Sequence, residues 1–239
     1  MTDDAVKPPA PFKRGLTPCP DCTEREVLIY PRFERLWHWS QAGSIVILMF
    51  TGLGMNGVHG LISFELAVRL HTIVALALLL LWVFATFWLF TTGSWKVFLP
   101  RMVGLFAVAR YYAYGVFKGE HHPFQKSLAQ RLNPLQALAY SALKAVVFPL
   151  VWGTGLVYLT YNFWKTLPNA PFLLEVVANI HLAVAYIVSG FVILHIYLLT
   201  IGHSFREGVR PMITGTEKVA LTPEQEAYLE RHETWRLVD

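Results

Sequence analysis

The stretch FLLEVVANIHLAVAYIVSGFVILHIYLLT, Phe172 to Thr200, decides how the rest of the chain is read. It is apolar over a length that crosses a bilayer at ~1.5 Å per residue. Inside it lie His181 and His195, fourteen positions apart. At ~100° per residue, fourteen steps return to within ~40° of the starting direction, so both rings share one helix face, ~21 Å apart along the axis. An imidazole in hydrocarbon is costly unless something binds it, which makes each histidine a candidate site. Two on one face, one near each membrane surface, ask for two ligands or for a relay.

The composition agrees with a membrane setting. The 239 residues are 54% hydrophobic, 14% aromatic and only 15% charged, with a mean hydropathy of +0.42. The apolar residues fall into four blocks rather than amphipathic stripes, which excludes an ordinary soluble globule. The N-terminus, MTDDAVKPPAPFKRG, is polar and proline-containing, unlike a cleavable signal. The first apolar block is therefore expected to serve as insertion signal and permanent helix. The net charge of +4 sits in the loops, where topology explains it better than nucleic-acid binding does.

In chain order, the expectation is a polar arm over 1–31, a four-helix membrane domain over 32–203 and a charged tail over 204–239. The spans are read as Arg32 to Leu53, Leu66 to Phe90, Gln136 to Tyr161 and Phe172 to Thr200, with Pro149 kinking the third. Lysine and arginine concentrate in the arm, in the connection over 91–133 and in the tail. The two other loops, with the start of the second span, hold only Arg69 and Lys165. The positive-inside rule makes both termini cytoplasmic.

Orientation then gives each histidine a depth. His38 starts an outward span and lies at the inner level; His71 starts an inward span and lies at the outer level. His181 joins His71 outside, and His195 joins His38 inside. Paired imidazoles at one depth on neighbouring helices suit the two axial positions of a haem in a four-helix bundle. Filling both leaves no open site at the iron, so such a centre passes electrons. Two of them stacked along the membrane normal make a transmembrane electron path. Gly43, Gly52, Gly153, Gly155 and Gly190 suit close approach of a flat macrocycle, or plain helix packing. Arg32 and Arg35 at the inner level suit haem propionates, or topology anchoring. For any one histidine, an interhelical hydrogen bond is the plainer reading; the paired depths favour haem.

Two further patterns stand out. TGL occurs at Thr51–Leu53 and again at Thr154–Leu156, and HTIVAL from His71 resembles HLAVAY from His181. This is the signature of a helix hairpin repeated in parallel. Cys19 and Cys22 form CPDC, which lacks the histidine of a c-type haem attachment. Reduced surface thiols are the leading expectation; a zinc site with His121 and His122, or a redox dithiol, are the alternatives. His59, His203 and His232 read as solvated, with His203 a competitor to His195.

These residues give the chain a resemblance to bacterial di-haem cytochrome b membrane subunits, those of formate dehydrogenase, nickel–iron hydrogenase and thiosulfate reductase. The similarity rests on RFERLWHW with His38, the histidine opening span two, NPLQALAY from Asn133, and His181 with HIY at His195. It covers roughly residues 30–210. It implies an all-α four-helix bundle in the bacterial inner membrane, with two haem b groups ligated by His38, His71, His181 and His195. It also implies a quinone or quinol as substrate, exchanged near Asn133 and Gln136. The implied partners are an outer-face iron–sulfur or c-type cytochrome subunit and its catalytic subunit. No nucleic acid is expected, and no catalytic residue is identified. The chain itself has no iron–sulfur cysteine set and no nucleotide fingerprint. The rival functions are a haem-free proton channel or transporter, a structural anchor, and an oxidoreductase acting on superoxide or ascorbate.

Overall fold

The computed structural model describes residues 21–100, 102–120, 122–124, 131–200 and 205–238. The chain divides into two compact units. One comprises Met1–Arg35, Ser94–Ala139 and Leu199–Asp239; the other comprises Leu36–Gly93 and Tyr140–Leu198.

The second unit is helical. It contains most of α1 (Arg32–Met55), α2 (Phe64–Thr91), the later part of α4 (Pro134–Ala142), α5 (Phe148–Leu159), the short α6 (Tyr161–Trp164), and α7 (Ala170–Leu199). α3 (Leu105–Arg110) belongs to the first unit. Among the described residues, three helical stretches are long and apolar enough to cross a membrane: Phe64–Thr91, Pro134–Leu159 and Ala170–Leu199. Four such spans were expected. α1 falls short because its first half carries His38, Ser40 and Gln41 among its apolar residues. Outward faces of the spans are apolar: Leu80 is 71% exposed, Ile193 67% and Phe87 66%. Water does not favour such a surface, and hydrocarbon does.

The inward faces follow a seven-residue step. His181, Val188 and His195 recur at that interval on α7, as do His71, Leu78 and Ala85 on α2, and His38, Ile45 and Gly52 on α1. A heptad step keeps one stripe facing neighbouring helices. Between the histidine levels, Leu143, Phe148 and Val188 are buried together, with Ile45, Trp82, Tyr140, Trp152 and Phe191 packed against them. Trp82 and Trp152 meet edge to face at 4.6 Å. Lys144, a cation within the third span, lies 4.1 Å above the ring of Trp37, where the π face offsets part of its desolvation.

Pro149 produces a π turn rather than a simple kink. Residues Leu143–Val147 form that turn, and the Phe148 N–H reaches back to the Leu143 carbonyl. Proline lacks an N–H and its ring crowds the carbonyl four residues earlier, and the wider turn accommodates both.

The first unit contains a sheet that the sequence reading did not contain. β1 (Thr23–Leu28) pairs antiparallel with β2 (Thr216–Leu221), Thr23 opposite Leu221 and Leu28 opposite Thr216. Arm and tail, read as separate segments, thus join in one structure. Val27, Ile29, Val219, Leu221 and Leu229 form its core, with Leu229 supplied by α9 (Pro223–His232). Thr222 and Gln225 cap α9 reciprocally, satisfying two otherwise orphaned N–H groups. Arg210 on α8 (Phe205–Thr214) bonds Glu26 of β1 at 2.7 Å. Cys22 is disulfide-bonded, which corrects the expectation of a reduced thiol; Cys19 lies outside the described residues.

Candidate cofactor site

Four histidines, far apart in sequence, meet in two pairs within the helical unit. His71 of α2 faces His181 of α7 with ring centres 6.3 Å apart and planes at 68°. His38 of α1 faces His195 of α7 at 6.5 Å and 61°. The spacing discriminates between interactions. A direct N–H···N hydrogen bond of ~2.9 Å would bring ring centres to ~5.1 Å. Two imidazole–metal bonds of ~2.0–2.1 Å, with ~1.1 Å from each nitrogen to its ring centre, give ~6.3 Å. Both pairs match the second value. The separation leaves room for a single metal between the rings of each pair.

Among the described residues no cluster of three or more His, Cys, Asp or Glu side chains could hold a bare metal ion. A pair of histidines suits a metal whose remaining ligands come from a macrocycle, as iron's do in haem. The residues present fit that group.

The supports of the two pairs differ. Thr51 Oγ1 lies 2.9 Å from His71 Nδ1, and Thr154 Oγ1 lies 3.1 Å from His181 Nδ1. A Cβ added at Gly52 would meet His71 Cε1 at 3.6 Å, and one at Gly155 would meet His181 Cε1 at 3.2 Å. Each TGL thus seats one ring: its threonine bonds the nitrogen, and its glycine faces the adjacent carbon, with an added Cβ in ordinary contact at Gly52 and tighter at Gly155. The repeated sequence is matched by a repeated geometry. Gly43, Gly153 and Gly190 show no such close approach, since an added Cβ would meet nothing within 4 Å. The threonines were not among the expected site residues, although the repeat that contains them was visible.

At the other pair, His38 Nδ1 is buried with no hydrogen-bond partner. His195 stacks on Phe191 at 5.8 Å, with planes 8° apart. This end is held by packing.

The remaining expected residues fall in the first unit. Asn133 is 3% exposed and caps the start of α4: its Oδ1 accepts from the Gln136 N–H at 2.8 Å, and Gln136 Oε1 accepts from the Asn133 N–H at 3.1 Å. That is a reciprocal capping box, and it occupies both side-chain oxygens. Asn133 Nδ2 donates to the Tyr112 hydroxyl at 3.3 Å. Arg35 Nη1 donates to the Ile213 carbonyl, while its Nε is buried without a hydrogen bond. Arg32 is exposed. Arg131 pairs with Glu34 at 3.5 Å; burial holds its guanidinium below the ordinary arginine range, with Glu34 opposing the shift. His121 and His203 lie outside the described residues, so the zinc alternative and the competitor ligand fall there. His122 instead makes local bonds to Phe124 and Tyr112.

A helical membrane unit with paired interior histidines defines a b-type cytochrome. Residues 29–215 match the family described as prokaryotic cytochrome b561, and the chain belongs to that family. It is also 29% identical over 196 residues to the Escherichia coli (strain K12) protein named "Putative cytochrome YdhU", covering 80% of this chain and 74% of the relative. The chain is accordingly a multi-pass bacterial membrane protein of electron transport whose cofactor is haem b.

Proposed function

We propose that the chain is a di-haem cytochrome b that links the quinone pool to a redox partner on the outer face of the inner membrane. The observation that carries this reading is the spacing of two separate histidine pairs, 6.3 Å and 6.5 Å between ring centres. His71 and His181 would hold one iron, His38 and His195 the other. When bound, haem supplies a one-electron couple. The chain would hold each haem between the two imidazoles of a pair, leaving no place for another ligand at that centre. The same spacing disfavours a bare proton relay, since rings ~1 Å too far apart for a hydrogen bond do not hand a proton directly across.

Strand pairing supports four crossings. β1 precedes α1 and β2 follows α7, and the two pair along their length. This pairing supports a reading in which the chain before and after the helical region lies on one side of a membrane, with an even number of crossings. Three spans qualify on apolarity alone, and α1 makes the fourth. The basic loops place that side in the cytoplasm. His38 and His195 then lie at the cytoplasmic level, where the family resemblance puts quinone exchange. Asn133 and Gln136, to which the resemblance gives quinone exchange, cap the start of α4. Arg32 and the free Nε of Arg35 are the proposed propionate partners. An iron–sulfur or c-type cytochrome subunit, with its catalytic subunit, is the proposed outer partner.

The test is a visible spectrum of purified protein with haem quantification. The expected result is a low-spin b-type spectrum and about two haems per chain. Haem-free protein that still functions would overturn the reading, and one haem per chain would remove half of it.

A further inference from the structure

The two TGL segments do more than make room. Thr51 Oγ1 lies 2.8 Å from the Ile47 carbonyl, and Thr154 Oγ1 lies 2.6 Å from the Leu150 carbonyl. A carbonyl oxygen only accepts, so at these distances the single hydroxyl hydrogen of each threonine must point at it. The hydroxyl oxygen then faces its histidine as an acceptor, and the histidine must be the donor. Both rings are thereby locked with the proton on Nδ1 and the lone pair on Nε2, directed away from the threonine.

We propose that Thr51 and Thr154 are positioning residues that fix the tautomer of His71 and His181 and lower the reduction potential of the centre those histidines hold. This rests on the di-haem reading above. A histidine donating its Nδ1 proton to a good acceptor is a more basic ligand at Nε2. A more basic axial ligand stabilises ferric over ferrous iron, and hydrogen bonding of this kind is a recognised means of setting a haem potential. The effect enters twice at this centre, once from each side, through the same carbonyl–hydroxyl–imidazole chain. At the other centre His38 Nδ1 has no acceptor, so the corresponding contribution is missing from that ligand. Thr51 is fully buried, so water does not take over the acceptor's place when the hydroxyl is removed.

The experiment is a potentiometric titration of the whole protein in membranes or detergent, followed optically, for the wild type, Thr51→Val, Thr154→Val, the double variant and Thr51→Ser. Valine keeps the shape and removes the hydroxyl; serine keeps the hydroxyl. His195→Ala, which leaves only the His71–His181 centre, assigns the potentials. The expected result is a rise in the potential of that centre alone. Its size should be about tenfold in the ferrous-to-ferric ratio at fixed ambient potential, ~59 mV for a one-electron couple. The double variant should show the larger shift, and Thr51→Ser should restore the wild-type value. Loss of that haem in Thr51→Val with retention in Thr51→Ser supports the same role through positioning. Two haems at unchanged potentials in the valine variants would overturn the inference while leaving the di-haem reading intact. Loss in both Thr51→Val and Thr51→Ser would overturn it in favour of packing. A wild type without haem would overturn the di-haem reading itself, and this inference with it.

Discussion

The two histidine pairs have nearly the same spacing, 6.3 Å and 6.5 Å, but they are held by different physics. His71 and His181 are tied through Nδ1 to threonines one residue before a glycine. His38 keeps a buried Nδ1 without a partner, and His195 lies flat on Phe191. Directional bonds specify a ring's rotation and its tautomer; packing specifies position only. The first pair is therefore a rigid, symmetric seat. The second leaves its rings less constrained, as suits the end at which a quinone is proposed to exchange.

The strongest way to break this comparison is to delete ligands. On the di-haem proposal, His71→Ala or His181→Ala should reduce two haems per chain to one, and His195→Ala should remove the other, as read by haem quantification. Retention of both haems in His195→Ala would transfer the ligand role to another group, with His203 the nearest in sequence. A second change asks whether the difference belongs to the helices alone. Leu221 is fully buried in the sheet core, so Leu221→Ala should destabilise that unit by about 2–5 kcal/mol. Hydrogen exchange of the β1 and β2 amides should rise while the haem content stays at the wild-type value.

A finer test compares the two glycines. Gly155→Ala places a methyl group 3.2 Å from His181 Cε1, and Gly52→Ala places one 3.6 Å from His71 Cε1. The second is ordinary contact, whereas the first requires the ring to move by a few tenths of an ångström. Gly155→Ala should therefore alter the low-spin spectrum of that centre, and Gly52→Ala should not. Equal effects would show that the two halves of the repeat are not distinguished in this way. The smallest effect concerns the first unit. Burial raises the Tyr112 phenol above its ordinary range, with the Asn133 bond opposing the shift. A raised folded value favours the neutral phenol, so its contribution is intact below about pH 10 and is lost as pH rises through the folded value. Tyr112→Phe should remove that alkaline slope from a denaturation series.

Much of the helical unit was legible because hydrophobic runs report directly on the solvent around them. The observed helices begin and end within two residues of the expected spans. The histidine pairing was legible for a related reason: in a bundle of straight spans, depth follows from position along each helix, so loop charge assigned four residues to two levels. The π turn before Pro149 was not, because a proline announces only that a hydrogen bond is missing. The wider turn depends on which carbonyl Phe148 can reach. The sheet was missed because TEREVL and TEKVAL carry no strong alternation. Each becomes a strand only against the other, across nearly the whole chain.

The roles of individual polar residues divide in the same way. By itself, the sequence determined the membrane class, the spans, the repeated TGL segments and the two levels of histidine, since these follow from composition and helical periodicity. Only the tertiary structure decided that Thr51 and Thr154 bond those rings, that Asn133 and Gln136 spend their oxygens on a helix cap, and that the arm closes onto the tail. Those outcomes depend on which donor meets which acceptor in three dimensions, and a hydrogen bond of ~3 Å is specified by contact rather than by pattern.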